Sequence, residues 1–303
     1  MSRIRTRVTA AVGAAAVAVL ALSACSSGGD PLTGGETSAA PTSDTIVIGS
    51  QAYYSNEIIA EIYAQALEGA GFTVDRQFNI GQRDAYIPLL ENGSIQLFPE
   101  YTGNLLQFFD PDTTATSSDE VYAALKEALP EGLTVLDQSS ATDQDSYNVT
   151  AAFAQEHNLK SIADLAGIPN LVLGGPPELE TRPYGPSGLK SKYGVDVTFR
   201  GTADTTVDEL VAGNIQIANV YSANPRIKTD DLVTLADPEG LFLASNVVPV
   251  VSTSVSDKIA DVINKVSAAL TPEGLVALNV ESTVDQKSSK DIASAWLKAN
   301  GLS

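Results

Sequence analysis

The chain has 303 residues, with 18 Lys+Arg against 37 Asp+Glu and a formal net charge of −19. That balance excludes a nucleic-acid binder built on basic patches and leaves a long-range attraction for cations. One cysteine and one histidine exclude an intrachain disulfide and a Cys/His zinc cluster.

The N-terminal region reads as an export segment. Arg3, Arg5 and Arg7 precede an apolar run over residues 8–24, shorter than the ~20 residues of a typical spanning helix and ending in small residues, as a secretory signal does. Its end, "LSAC", resembles a bacterial lipobox, which implies that residues 1–24 are removed and that Cys25 is lipidated. Residues 26–44, "SSGGDPLTGGETSAAPTSD", cannot bury a core, so residues 25–44 read as a lipidated cysteine on a flexible tether.

From residue 45 the pattern alternates. "DTIVIGS" is a β-branched strand, followed by a helix with Ile58, Ile59, Ile62, Tyr63, Ala66 and Leu67 at helical spacing. Ser55 or Asn56 is the expected cap of that helix. Residues 72–81 alternate as a second strand. "RDAYIPLLENG" is a short helix with Asp84 as candidate cap, and "SIQLF" is the third strand. Ser117 and Glu120 have capping-box spacing ahead of another amphipathic helix. At "ATDQDSYNVT" a second strand–helix series begins. It includes "NLVLGGPPELETRPYG" and "NIQIANVYSAN" and is followed by a buried segment at 246–255. Helices over 257–270, 272–279 and 286–300 close the chain.

Alternation twice over predicts two α/β lobes with mostly parallel sheets. The lobes share a grammar: "LLENGSIQLFPEY" parallels "LVAGNIQIANVY". Tyr101 and Tyr221 each fall just past the carboxyl end of a strand, where open α/β sheets bind ligands. Tyr54, Tyr86 and Tyr184 also sit at element junctions. Several aromatic faces together bind a quaternary ammonium, each ring contributing ~0.5–2 kcal/mol. Micromolar binding needs about 8 kcal/mol, so a second contact is required. Arg182, Arg83 or the amides of "GGPP" could supply it to a carboxylate.

Catalytic patterns are absent from the sequence. His157 has no nucleophile elbow to serve, and there is no P-loop, dinucleotide fingerprint or EF-hand spacing. Glu100 or Asp84 could act as an acid, but a Pro-Glu turn more often caps backbone amides.

These stretches resemble the extracytoplasmic substrate-binding lipoproteins of ABC importers for glycine betaine, choline and related osmoprotectants. "PEYTG", "GGPPE" followed by an arginine, "LKSIADLAG" and "NVYSANPRI" carry the resemblance. It implies a two-lobe clamshell of the periplasmic-binding-protein kind, type II-like, with helices flanking each sheet and two hinge crossings. The expected lobes are 45–145 plus 251–303, and 146–250. The implied role is capture of a quaternary-ammonium solute in an aromatic cage, without cofactor, metal or catalysis. Delivery to ABC permease transmembrane subunits follows, from a monomer lipid-anchored on the outer face of the cell membrane. Tyr101 and Tyr221 fall on cage positions, with Tyr86, Tyr184, Tyr54 and Arg182 as further candidates. An amino acid held by Arg182 is the alternative. The chain departs from the pattern at "YYSN" (53–56), at Leu179 and at "SAN" (222–224), which leaves the ligand open among choline, betaines, carnitine-like compounds and a trimethylated histidine derivative.

Overall fold

The computed structural model describes residues 45–302. The expected leader, Cys25 and the tether lie outside the described residues.

The first lobe begins with β1 (Thr45–Gly49), α1 (Tyr54–Gly69), β2 (Thr73–Gln77), α2 (Arg83–Glu91), β3 (Leu97–Tyr101), α3 (Thr102–Phe109), α4 (Ser118–Ala128) and β4 (Leu133–Val135). The second lobe holds β5 (Asp145–Thr150), α5 (Ala151–His157), β6 (Val172–Gly175), α6 (Pro186–Tyr193), β7 (Thr198–Gly201), α7 (Thr206–Val211), β8 (Ile217–Tyr221), α8 (Arg226–Thr229) and β9 (Leu232–Thr234). The chain then returns to the first lobe through β10 (Val247–Ser252), α9 (Ser256–Ala269), α10 (Pro272–Thr283) and α11 (Ser289–Ala299).

The two sheets have the same plan. Their strand orders are β2-β1-β3-β10-β4 and β7-β6-β8-β5-β9. In each, one strand runs against the others: β10 is antiparallel to both its neighbours, and so is β5. Each reversed strand is the one the chain enters on crossing between lobes. Because β10 pairs wholly within the first sheet and β5 starts at Asp145, the boundaries expected at 145/146 and 250/251 are corrected to before Asp145 and before Val247. The run "NVVPVVS" is apolar throughout and carries no mark of where the crossing ends.

The two crossings lie side by side. Ser139 N–H donates to the Val247 carbonyl at 2.8 Å, Val247 N–H to Ala141 at 2.9 Å, and Asp143 N–H to Ser245 at 3.1 Å. Each sheet is covered on both faces. One face of the first sheet packs against α1 and the C-terminal helices around Ile59, Ile62, Ile259 and Ile263. The other packs against α2, α3 and α4 around Leu90, Phe98 and Leu105. The second lobe has two apolar clusters of its own.

The capping box forms as expected: Ser117 and Glu120 satisfy each other's backbone at the start of α4. Ser55 and Asn56 do not cap α1, which starts after Tyr53 with no side-chain cap. Asn56 is used elsewhere. Its Oδ1 accepts the Gln51 N–H at 2.9 Å and its Nδ2 donates to the Pro99 carbonyl at 2.8 Å. β1 has left the sheet beside Pro99, so that carbonyl needs a side-chain donor. α2 likewise begins after Gln82 without a cap from Asp84.

Candidate functional site

β3 and β8 occupy equivalent places, and the shared "xIQ" explains how. Gln96 accepts the Val47 N–H through its side chain at 2.8 Å, and Gln216 accepts the Val172 N–H at 3.1 Å. Each glutamine ties its strand to the next one, so each strand delivers its terminal tyrosine to the edge facing the other lobe. Tyr53, at the mouth of α1, completes the set. Its ring centroid is 5.1 Å from that of Tyr221 and 4.7 Å from that of Tyr54. Tyr53, Tyr101 and Tyr221 line one internal cavity with Gln51, Arg83, Asn104 and Asp143. That cavity holds about 10 Å³, room for roughly one water. A wider cleft of about 640 Å³ shares Gln51, Tyr53 and Tyr221 as walls and adds Tyr54, Asn219, Glu57, Glu178 and Asp204.

Behind Tyr101 lies a buried ion pair. Arg83 Nε donates to Glu100 Oε1 at 2.9 Å and Nη2 to Oε2 at 2.8 Å; Arg83 is 6% exposed and Glu100 fully buried. Glu100 Oε2 also accepts the Tyr101 N–H at 2.8 Å, and Oε1 accepts the Tyr86 hydroxyl. Glu100 is therefore saturated by a cation, a phenol and a backbone amide, which explains an acid at the end of a buried strand.

Two further acids stand where the first crossing runs into β5. Asp143 Oδ2 accepts the Tyr53 hydroxyl at 2.9 Å, and Oδ1 accepts the Ala223 N–H at 2.9 Å. It thus bonds one group from each lobe. Burial raises its carboxyl to about 7, against the lowering effect of those two bonds. Asp145 accepts Asn104 Nδ2 at 2.6 Å, again across the lobes, and burial raises it too. Gly103 lets α3 approach closely enough for this: a Cβ there would lie 2.7 Å from the Ala244 carbonyl and the Ser245 hydroxyl. Burial pushes the hydroxyls of Tyr53, Tyr101 and Tyr221 well up, so these rings stay neutral phenols. Tyr101 Oη, Tyr54 Oη and Asn219 Nδ2 are buried without a hydrogen-bond partner.

The structure brings Tyr101 and Tyr221 to one cavity, and Tyr54 to the adjoining cleft. Tyr184 and half-buried Arg182 border a neighbouring small cavity with Asp145; the Tyr184 hydroxyl accepts Asn104 Nδ2 at 3.1 Å. Tyr86 is a correction. It is fully buried, stacked on Phe98 at 4.0 Å between centroids, and its hydroxyl holds Glu100 and accepts from Gln51. The register of α2 turns it into the first lobe, so it supports the site from behind. Sequence reasoning did not single out Tyr53, Asp143 or Asn104 as site residues. The doubled tyrosine at 53–54 was the available signal. Among the described residues no cluster of His, Cys, Asp and Glu is placed to hold a metal, and no helix is long and apolar enough to cross a membrane.

Residues 44–299 match the family model for the substrate binding domain of the ABC-type glycine betaine transport system. The chain is 23% identical over 276 residues to the glycine betaine-binding protein YehZ of Escherichia coli (strain K12), covering 84% of this chain and 90% of that protein. A solved glycine betaine/carnitine/choline ABC transporter protein superposes with a TM-score of 0.71 at 21% identity, over 85% of this chain and 99% of that one. Lactococcal OpuAC, closed and complexed with glycine betaine, gives 0.62 at 14% identity, over 85% and 96%.

Proposed function

Because this chain belongs to the family of substrate-binding domains of ABC-type glycine betaine transport systems, we propose that it captures a quaternary-ammonium solute between its lobes for import. The observation that carries this is the convergence of Tyr53 and Tyr101 from the first lobe and Tyr221 from the second on a single cavity beside a buried carboxylate. Neutral phenol rings present their negative faces to a cation that has no N–H to donate. The Tyr53 ring rests on Tyr221, so entry of the solute requires the two rings, and with them the lobes, to part. Solute touching both lobes then favours the shut state, by the differential contact that population shift requires. The shut form delivers the solute to the transmembrane subunits of its importer. Lipidation at Cys25, read from the "LSAC" pattern, would anchor the protein, as a monomer, to the outer face of the cell membrane.

The family role is transport, and Glu100, enclosed by Arg83, Tyr86 and the Tyr101 amide, has no oxygen left for acid–base work.

A thermal-shift panel tests the proposal. Choline, glycine betaine and carnitine are compared with ordinary amino acids. A rise in Tm with at least one trimethylammonium compound, and none with amino acids, is expected. Stabilisation by amino acids alone, lost in Arg182→Ala and kept in Tyr101→Ala, would replace the cage with the Arg182 site.

A further inference from the structure

Resting on the quaternary-ammonium reading, we propose that Asp143 is a specificity-determining residue: its carboxylate makes the cleft prefer a cation with a neutral hydroxyl-bearing tail over a zwitterion.

Four observations carry this. Asp143 is 2% exposed and lines the same small cavity as Tyr53, Tyr101 and Tyr221. Among the described residues it forms no ion pair; its oxygens take only the Tyr53 hydroxyl and the Ala223 N–H. The one basic residue on that cavity, Arg83, already spends Nε and Nη2 on Glu100. Finally, Asp145, two residues on, is also buried and also lacks a cationic partner, accepting the Asn104 amide instead.

Local charge follows directly. Arg83 and Glu100 cancel, while neither Asp143 nor Asp145 has an ion-pair partner. A buried carboxylate without a counter-ion is costly and favours the arrival of a cation. A trimethylammonium group among the rings would supply that charge. A phenol hydrogen-bonded to a carboxylate also gains electron density on its ring, so the Tyr53–Asp143 bond strengthens the ring's attraction for the same cation. A zwitterion brings the same ammonium group but carries its own carboxylate a few bonds away. That second charge meets an acidic lining whose nearest guanidinium is engaged, so part of the gain is lost. An aminoalcohol brings no such charge, and its hydroxyl can donate to an acceptor on the cleft wall. Arg182, half-buried on the neighbouring cavity, is the one arm that would work the other way.

Calorimetric titration of the full-length protein decides the matter, using choline and glycine betaine as probes. In the wild type, choline should bind about tenfold tighter or more. Asp143→Asn keeps the shape and can still accept the Ala223 N–H; it should collapse the choline preference to within about threefold, chiefly by weakening choline. Asp143→Glu should restore part of it, which a purely structural role would not produce. Betaine binding as tightly as choline in the wild type overturns the inference while leaving the quaternary-ammonium reading intact, and this arm needs no variant to fold. An unchanged ratio in a folded Asp143→Asn protein also overturns it. Absence of binding by both probes also overturns the choline preference, and the carnitine arm of the thermal-shift panel then decides whether the quaternary-ammonium reading stands.

Discussion

The two lobes end the central strands of their sheets in the same residue but support it differently. In the first lobe the residue before Tyr101 is Glu100, fully buried and paired with Arg83. In the second, Val220 precedes Tyr221 and packs in an apolar cluster. The crossing strands reverse the choice. Val247 lies opposite Tyr101, whereas Asp145 lies opposite Tyr221. Each tyrosine therefore has one acid beside it, drawn from a different strand. The first lobe neutralises its acid internally. The second leaves Asp145 to be met by Asn104 from the other lobe. The lesson is that a common sheet plan fixes where the rings go, while the side chains next to them divide the work: one lobe neutralises its acid within itself, and the other draws on an amide from across the cleft.

The largest way to break this comparison is Glu100→Gln. It leaves the Arg83 guanidinium buried without its counter-charge and should cost about 3–5 kcal/mol in urea unfolding. The equivalent change in the second lobe, Val220→Ala, removes two methyl groups and should cost about 2 kcal/mol. Equal losses at the two positions would mean that the ion pair gives the first lobe no special dependence on charge.

Next in size are the rings. Tyr101→Ala and Tyr221→Ala should each weaken choline binding by about tenfold, as expected for loss of one cation–π partner worth ~0.5–2 kcal/mol. A loss confined to one of the two would place the ammonium on a single lobe and remove the reason for closure.

A pH series sharpens the contrast between the acids. The groups facing Asp143 are Tyr53, Tyr54, Tyr101, Tyr221, Asp145 and Arg83. Burial raises the Asp143 carboxyl to about 7 in the folded protein. The native state thus holds a proton that the unfolded chain has released, between the ordinary carboxylate value and about 7. Stability from this group therefore falls as pH rises through that window, opposite to an ion-paired acid. A bound cation favours the ionised form, so choline affinity should rise with pH and weaken by up to about tenfold per unit below about pH 7. A flat profile in calorimetry from about pH 6 to pH 8 would show that Asp143 does not change its protonation on binding in that window. Smallest of all is Tyr53→Phe, which keeps the ring but removes the donor to Asp143; the expected loss in choline affinity is about 0.5–1 kcal/mol.

Much of the fold was legible because its signals are local. The helical spacing of Ile58, Ile59 and Ile62, the Ser117–Glu120 box and the repeated "xIQ" strand all act within a few residues. Tyr101 and Tyr221 were legible for the same reason, as ends of strands. What escaped depends on distant partners. Tyr53 and Asp143 are 90 positions apart, Asp143 and Ala223 are 80 apart, and Asn104 and Asp145 are 41 apart. Tyr86 was misplaced because a junction tyrosine looks the same in sequence whether its helix turns it toward the cleft or, as α2 does, onto Phe98. The expected caps at Ser55 and Asn56 failed because Asn56 is needed by Pro99, a contact 43 positions away.

The central claim is that rings from both lobes, with Asp143, recognise the positive charge of a methylated nitrogen and not merely its bulk. The most direct test is competitive calorimetry of choline against its uncharged isostere, in which a tert-butyl group replaces trimethylammonium. The account predicts that choline binds at least about a hundredfold tighter, the combined effect of several rings and a carboxylate. Equal binding of the neutral isostere would contradict it.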